Sequence, residues 1–142
     1  MGILDRFSKK KKEEEKPIEK PKEVKEIATD LETVCADDKE AFEVLYHTML
    51  LDPRKLRVSM EEAVKRAQNY EKSGDVDEAK RWWETAGKLA IYQGDVAKVK
   101  EYFGKCKELV PDRDYLILEI PERAVKKAQE YYQKHLKAEE EK

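Results

Sequence analysis

The doublet Gly74-Asp75 recurs as Gly94-Asp95, each copy is followed by Val, and each is preceded by an apolar stripe that carries an aromatic residue. Punctuation of this kind marks turns between antiparallel helices. The middle of the chain therefore reads as a run of stacked helical hairpins, and the fold class expected is all-α, with about five to six helices.

The stripes on either side support that reading. Val24, Ile27, Leu31 and Val34 recur at helical spacing over residues 22–35, and Ala36-Asp37-Asp38 breaks the pattern where an aspartate can accept the free amides of the next helix. That next helix carries Ala41, Phe42, Leu45, Met49 and Leu50 and stops before Pro53. Ser59-Met60-Glu61-Glu62 reads as a capping box that opens a helix striped with Met60, Ala63, Val64, Ala67 and Tyr70. The helix over about 76–93 presents Ala79, Trp82, Trp83, Ala86, Leu89 and Ala90, a face broad enough to be packed on two sides. It is expected to be the spine of the fold, with both tryptophans in the interior. Val96, Val99, Tyr102, Phe103, Cys106, Leu109 and Val110 continue the pattern to Pro111. Pro121 then opens a last helix with Ala124, Val125, Ala128, Tyr131, Tyr132 and Leu136.

The segment 112–120 differs from its neighbours. Tyr115-Leu116-Ile117-Leu118-Glu119-Ile120 is aliphatic and β-branched, lies between Pro111 and Pro121, and is short for a helix. An extended strap is expected near 112–120. Either Leu116, Leu118 and Ile120 cover the open end of the stack, or the strap offers an edge to a partner's strand.

Residues 1–26 form a charged head set apart by composition. From Lys9 onward it holds too little apolar surface to order itself, which predicts disorder. Its first turn places Ile3, Leu4 and Phe7 on one side and follows them with Lys9, Lys10, Lys11 and Lys12, giving residues 1–12 a formal charge of +4. A greasy turn beside a basic cluster is how a peripheral anchor is built. These seven residues are the candidate membrane contacts, and a solubilising head is the alternative. Arg6 occupies the place where a myristoylation motif asks for Ser or Thr, which argues against acylation of Gly2. The remaining organisation expected is a single helical domain over 27–138 and a disordered acidic tail over 139–142.

Charge and chemistry limit the function classes. Charged residues make up 44% of the chain, against about 25% in an ordinary globular protein, yet 30 basic and 32 acidic side chains leave a net charge of −2. Such Lys and Glu enrichment, with Asn69 as the one asparagine, matches the bias of thermophile proteins. Residues 27–142 sum to −4, which weighs against nucleic acid as a partner. Cys35 and Cys106 are far apart on apolar stripes and read as buried hydrophobes, not as a metal site or disulfide. His47 and His135 each have one carboxylate a helical turn away, Glu43 and Glu139, and no second His or Cys. The sequence thus offers no catalytic residues, no metal site and no cofactor motif. Without a stretch long enough to span a bilayer or a secretory leader, the expected location is the cytoplasm, with the head able to reach the inner membrane face.

Ala63, Ala67, Tyr70, Gly74, Asp75, Ala79, Trp83 and Ala86 together resemble one tetratricopeptide unit, with small residues where helices touch, an aromatic in each helix and Gly-Asp at the turn. Gly87, Gly94, Asp95, Phe103 and Pro111 give a second, partial match. Tandem units of this family repeat every ~34 residues, whereas the two turns here are 20 apart, so the Trp82-Trp83 helix serves both matches. The resemblance covers about 59–111. It implies protein–protein interaction on a concave face, with Glu61, Val64, Gln68, Glu71 and Lys72 in the inward-facing places of the first helix. That set does not carry the Lys and Asn with which some members grip a carboxylate-ended peptide. The expectation is a non-catalytic adaptor for another protein or a peptide segment, held near an anionic membrane by its head, with the oligomeric state left open. The alternative is a nucleic-acid or ribosome-associated factor that uses Lys126, Lys127, Lys134 and Lys137 beside Tyr131 and Tyr132.

Overall fold

The computed structural model describes residues 30–137. The head, with Ile3, Leu4, Phe7 and Lys9 to Lys12, lies outside the described residues, as does the acidic tail. After a helical segment at 30–34 come α1 (Lys39–Thr48), α2 (Met60–Ser73), α3 (Val76–Gln93), α4 (Val96–Leu109) and α5 (Pro121–Tyr132). Helix α5 continues into a π-helical turn at Gln133–Lys137, and short 3-10 turns occupy Pro53–Lys55 and Leu116–Leu118. No strand occurs among the described residues.

Each Gly-Asp doublet closes one helix and opens the next. Gly74 and Gly94 take left-handed backbone conformations, at φ +83° and +76°, which a residue with a Cβ adopts only at a cost. The amides of Gly74 and Asp75 turn back onto the carbonyls of Glu71 and Tyr70 at 3.1 and 2.9 Å, and those of Gly94 and Asp95 onto Ile91 and Ala90, both at 3.0 Å. One residue later in function, the aspartate side chain accepts from the new helix: Asp75 from the amide of Glu78 at 3.2 Å, Asp95 from that of Lys98 at 3.1 Å. Chain reversal and helix initiation are therefore encoded in two adjacent residues. Asp38 caps α1 and Ser59 caps α2 in the same way, through the amides of Ala41 and Glu62.

Helix α3 is the spine. It packs along α2 on one side and α4 on the other, and α5 crosses both α3 and α4. Its inner positions are small where the backbones approach, with Ala79, Ala86, Gly87 and Ala90 all buried, and large at Trp83, which is 2% exposed. The ring of Phe103 lies against Gly87, so close that an added Cβ would stand 2.5 Å from it. Trp83 stacks at a tilt on Tyr102 with centroids 5.6 Å apart and donates its indole N–H to Glu71 of α2, tying three consecutive helices together. Trp82 departs from the sequence expectation: it is only half-buried, under the Arg66 guanidinium at 4.7 Å from its ring. One helix position cannot face the same neighbours as the next, about 100° around the axis, and Trp83 holds the inner one.

The bundle is closed by α5. Its Gln129 amide donates to the last carbonyls of α3, Ile91 and Tyr92, at 2.7 and 2.9 Å, replacing partners that a helix end lacks. Tyr132 is fully buried and its hydroxyl donates to the Leu50 carbonyl just past α1. On the outside, Arg123 grips the Asp38 carboxylate through both oxygens at 3.0 and 2.6 Å, and Lys127 reaches Asp37 at 2.7 Å. The Asp37-Asp38 break thus joins the start of the described chain to its last helix.

The strap is a second departure. Residues 111–120 are not extended; they form turns and the 3-10 helix Leu116–Leu118. A 3-10 turn aims successive side chains about a third of a circle apart, so Ile117 alone enters the core, while Leu116 is 51% exposed and Leu118 and Ile120 are partly covered. The carbonyls of Pro111 and Arg113 are bound by the Lys107 ammonium at 2.8 and 2.9 Å, leaving no open strand edge there.

Candidate protein-binding site

The five residues singled out on α2 do not converge. Gln68, Glu71 and Lys72 line one shallow hollow, Glu61 belongs to another with Glu62, Lys65, Arg66 and Asn69, and Val64 is packed partly against the core. Glu71 is further committed to the Trp83 indole. Helix α2 packs along α3, and its side away from Ala63 and Ala67 is charged and exposed.

A better-formed concavity arises where α1 packs on α5 and on the Leu116–Leu118 turn but stands off from α3. The gap left between them is a notch of about 250 Å³. Val44 of α1, Phe103 of α4 and Ile117 of the strap make its apolar floor, all three buried. Glu43, His47 and Thr48 stand on the α1 wall, Glu84 and Lys88 on the α3 wall, and Arg113, Asp114, Tyr115 and Leu116 along the strap. Tyr46 of α1 is also exposed, at 47%, and stacks edge-on with Phe42 and with His47, extending an aromatic face along the same helix.

The strap wall is fixed by polar contacts. The Tyr115 hydroxyl donates to Glu84 at 2.7 Å, and the Arg113 guanidinium lies 4.0 Å from the same carboxylate and 5.4 Å over the Tyr115 ring. Burial first, and the hydrogen bond that the hydroxyl donates to the Glu84 carboxylate second, push the Tyr115 hydroxyl well above the usual phenol range. It therefore remains a donor at neutral pH, and the latch does not depend on mild changes of pH.

Reactive groups do not gather. Burial pushes the thiols of Cys35 and Cys106 up to about 11 and about 12, so both are neutral and inert at physiological pH. His47 contacts the Tyr46 ring; His135 lies against Tyr131 and 3.8 Å from Asp30. Among the described residues no three His, Cys, Asp or Glu side chains are grouped to hold a metal, and no helix is long and apolar enough to cross a membrane. Tyr131 and Tyr132 are 3% and 0% exposed, so neither presents a ring face to a nucleic acid base, and Lys127 is engaged by Asp37 and Glu130.

The notch was not visible as a motif, because its walls come from residues 43–48, 84–88 and 113–117, brought together only by the packing of α1 on α5. The one local signal was the run Tyr115-Leu116, apolar residues outside any helical stripe. No protein-family model, curated protein or solved structure matches this chain.

Proposed function

We propose that the chain is a non-catalytic adaptor, a tetratricopeptide-like helical stack that holds a segment of another protein, with the notch between α1, α3 and the strap as its docking point. The observation that carries this reading is the notch itself, an apolar floor with an exposed Leu116 on its rim and polar walls. Its volume of about 250 Å³ falls below the ~300–1,000 Å³ of pockets that enclose a small molecule. That space suits one or two anchor side chains of a peptide whose backbone stays outside. The repeat of Gly-Asp hairpins and the small-residue contacts along α3 fit a stack of the tetratricopeptide kind. In this reading the head, through Ile3, Leu4, Phe7 and Lys9 to Lys12, brings the adaptor to an anionic membrane face.

The test is affinity capture from native lysate with parent protein and the variant Leu116→Glu in parallel. Leu116 is 51% exposed, so the variant is expected to fold, while a charge there blocks entry to the apolar floor. The expected outcome is loss of a specific protein from the variant's eluate. Identical eluates would place the docking site elsewhere.

A further inference from the structure

Two charges on opposite walls of the notch have no partner among the described residues. Lys88 follows Glu84 by one helical turn, the spacing at which such a pair normally meets. Here, however, the Glu84 carboxylate is turned to the Tyr115 hydroxyl and faces the Arg113 guanidinium. Lys88, half-buried on the α3 wall, makes no ion pair with any described residue. Across the notch, Glu43 precedes His47 by the same helical turn, but the His47 ring is taken up by Tyr46, and Glu43 likewise has no partner among the described residues. The other charged groups of the lining are accounted for: Arg113 faces Glu84, and Asp114 lies 4.0 Å from Lys107. An apolar floor therefore lies between one unspent cation and one unspent anion, which do not bridge to each other.

We infer that the notch selects an extended peptide segment whose apolar anchor residue is flanked by a carboxylate on the Lys88 side and a cation on the Glu43 side. The inference rests on the notch being the docking point, and adds to it the charge pattern of the partner. Burial of the anchor against Leu116, 51% exposed on the rim above the nearly closed floor of Val44, Phe103 and Ile117, supplies adhesion, and the two opposed charges supply direction, because a segment laid in reverse meets like charge on both walls. A partner of uniform charge satisfies one wall and is repelled by the other.

The test is selection of random linear peptides on display against full-length protein, with Leu116→Glu, Lys88→Glu, Glu43→Lys and the double swap Glu43→Lys with Lys88→Glu as parallel targets. The melting temperature of each is recorded, and Lys88→Met replaces Lys88→Glu should the latter unfold. Parent protein is expected to enrich an apolar residue between an acid and a base in one order. The double swap is expected to enrich the opposite order, and each single swap to weaken parent-selected peptides by about three- to fivefold, the scale of a partly exposed ion pair. Enriched apolar peptides that are lost on Leu116→Glu but indifferent to both charge swaps would overturn the charge pattern and leave the docking point standing. Peptides insensitive to Leu116→Glu, or no enrichment at all, would overturn both. Enrichment only after removal of residues 1–26, or a doubled mass in sedimentation that Leu116→Glu returns to monomer, would name the chain's own head or a second copy as the occupant and equally overturn the inference.

Discussion

Phe103 can lie on α3 only because position 87 has no side chain. An added Cβ would stand 2.5 to 2.8 Å from three atoms of that ring, and both helices are held by caps at either end, so the ring has little room to withdraw. Gly87→Ala is therefore expected to destabilise by about 1–3 kcal/mol despite the better helix propensity of alanine. Chemical denaturation measures it, and a gain in stability would mean that the helices separate freely. Trp83→Ala removes the side chain that touches α2 and α4 at once and should cost about 3–5 kcal/mol. Trp82→Ala should cost clearly less, because that ring is only half-buried, beneath the Arg66 guanidinium on the surface. Equal losses at the two positions would contradict the placement of the pair. The doublet Trp82-Trp83 was legible as part of a broad apolar face, but not which member points inward; that is decided by the angular position of α2 relative to α4, which no local pattern records.

At the level of elements, the Gly-Asp hairpins were readable because every interaction that makes them spans at most five residues. The strap was not, since Ile117 is chosen as its core residue by packing of the turn on α1, far away in sequence, as well as on its chain neighbours α4 and α5. The same holds for the acidic break at 36–38, which the sequence shows as a helix start and the structure shows also as the clasp for α5. Asp38 both caps α1 and binds Arg123, and the Arg123 guanidinium, ahead of the Ala41 amide, holds its carboxyl below the usual carboxylate range. A carboxyl whose pKa is lower in the folded state stabilises the fold above its unfolded pKa and loses that contribution as pH falls through the folded value. Asp37, held down first by its hydrogen bond from Lys127, acts in the same direction. The melting temperature should therefore fall below about pH 4, and the fall should be shallower in Asp38→Ala, which has already lost the contact. Asp38→Ala should also melt below Arg123→Ala at neutral pH, because it forfeits the cap as well as the ion pair. An Arg123→Ala variant melting lower would show that the remaining Arg123 contact, with Glu40 at 3.1 Å, contributes more than the cap. On the strap, Tyr115→Phe removes the hydroxyl that orients Glu84 and should cost about 1 kcal/mol.

For the whole molecule, one core cluster of the described residues runs from Leu31 to Leu136, and the charged composition of residues 1–26 offers little apolar surface to add to it. Residues 1–26 are therefore expected to be dispensable for stability, and their deletion should leave the melting temperature nearly unchanged. Their composition suits the membrane contact proposed for them. Ile3, Leu4 and Phe7 could each contribute ~1.5–3 kcal/mol if fully buried in an interface, and each lysine of Lys9 to Lys12 about 1 kcal/mol near an anionic surface. Ordering the turn costs ~1–2 kcal/mol per residue, so the balance is close to zero and any adhesion is weak and reversible. A body whose formal charge is −4 over residues 27–142 would be repelled by the same surface, so the proposed contact requires the head's positive charge. Full-length protein should co-sediment with vesicles rich in anionic lipid at low salt and release as salt rises, because exposed charges are screened within about 10 Å at 0.1 M. Phe7→Ala should also abolish sedimentation, since charge and burial are each insufficient alone. Neutral vesicles should bind neither form. Should full-length and head-deleted protein sediment equally, the membrane assignment fails, and the notch then serves an adaptor whose location is set by its partner alone.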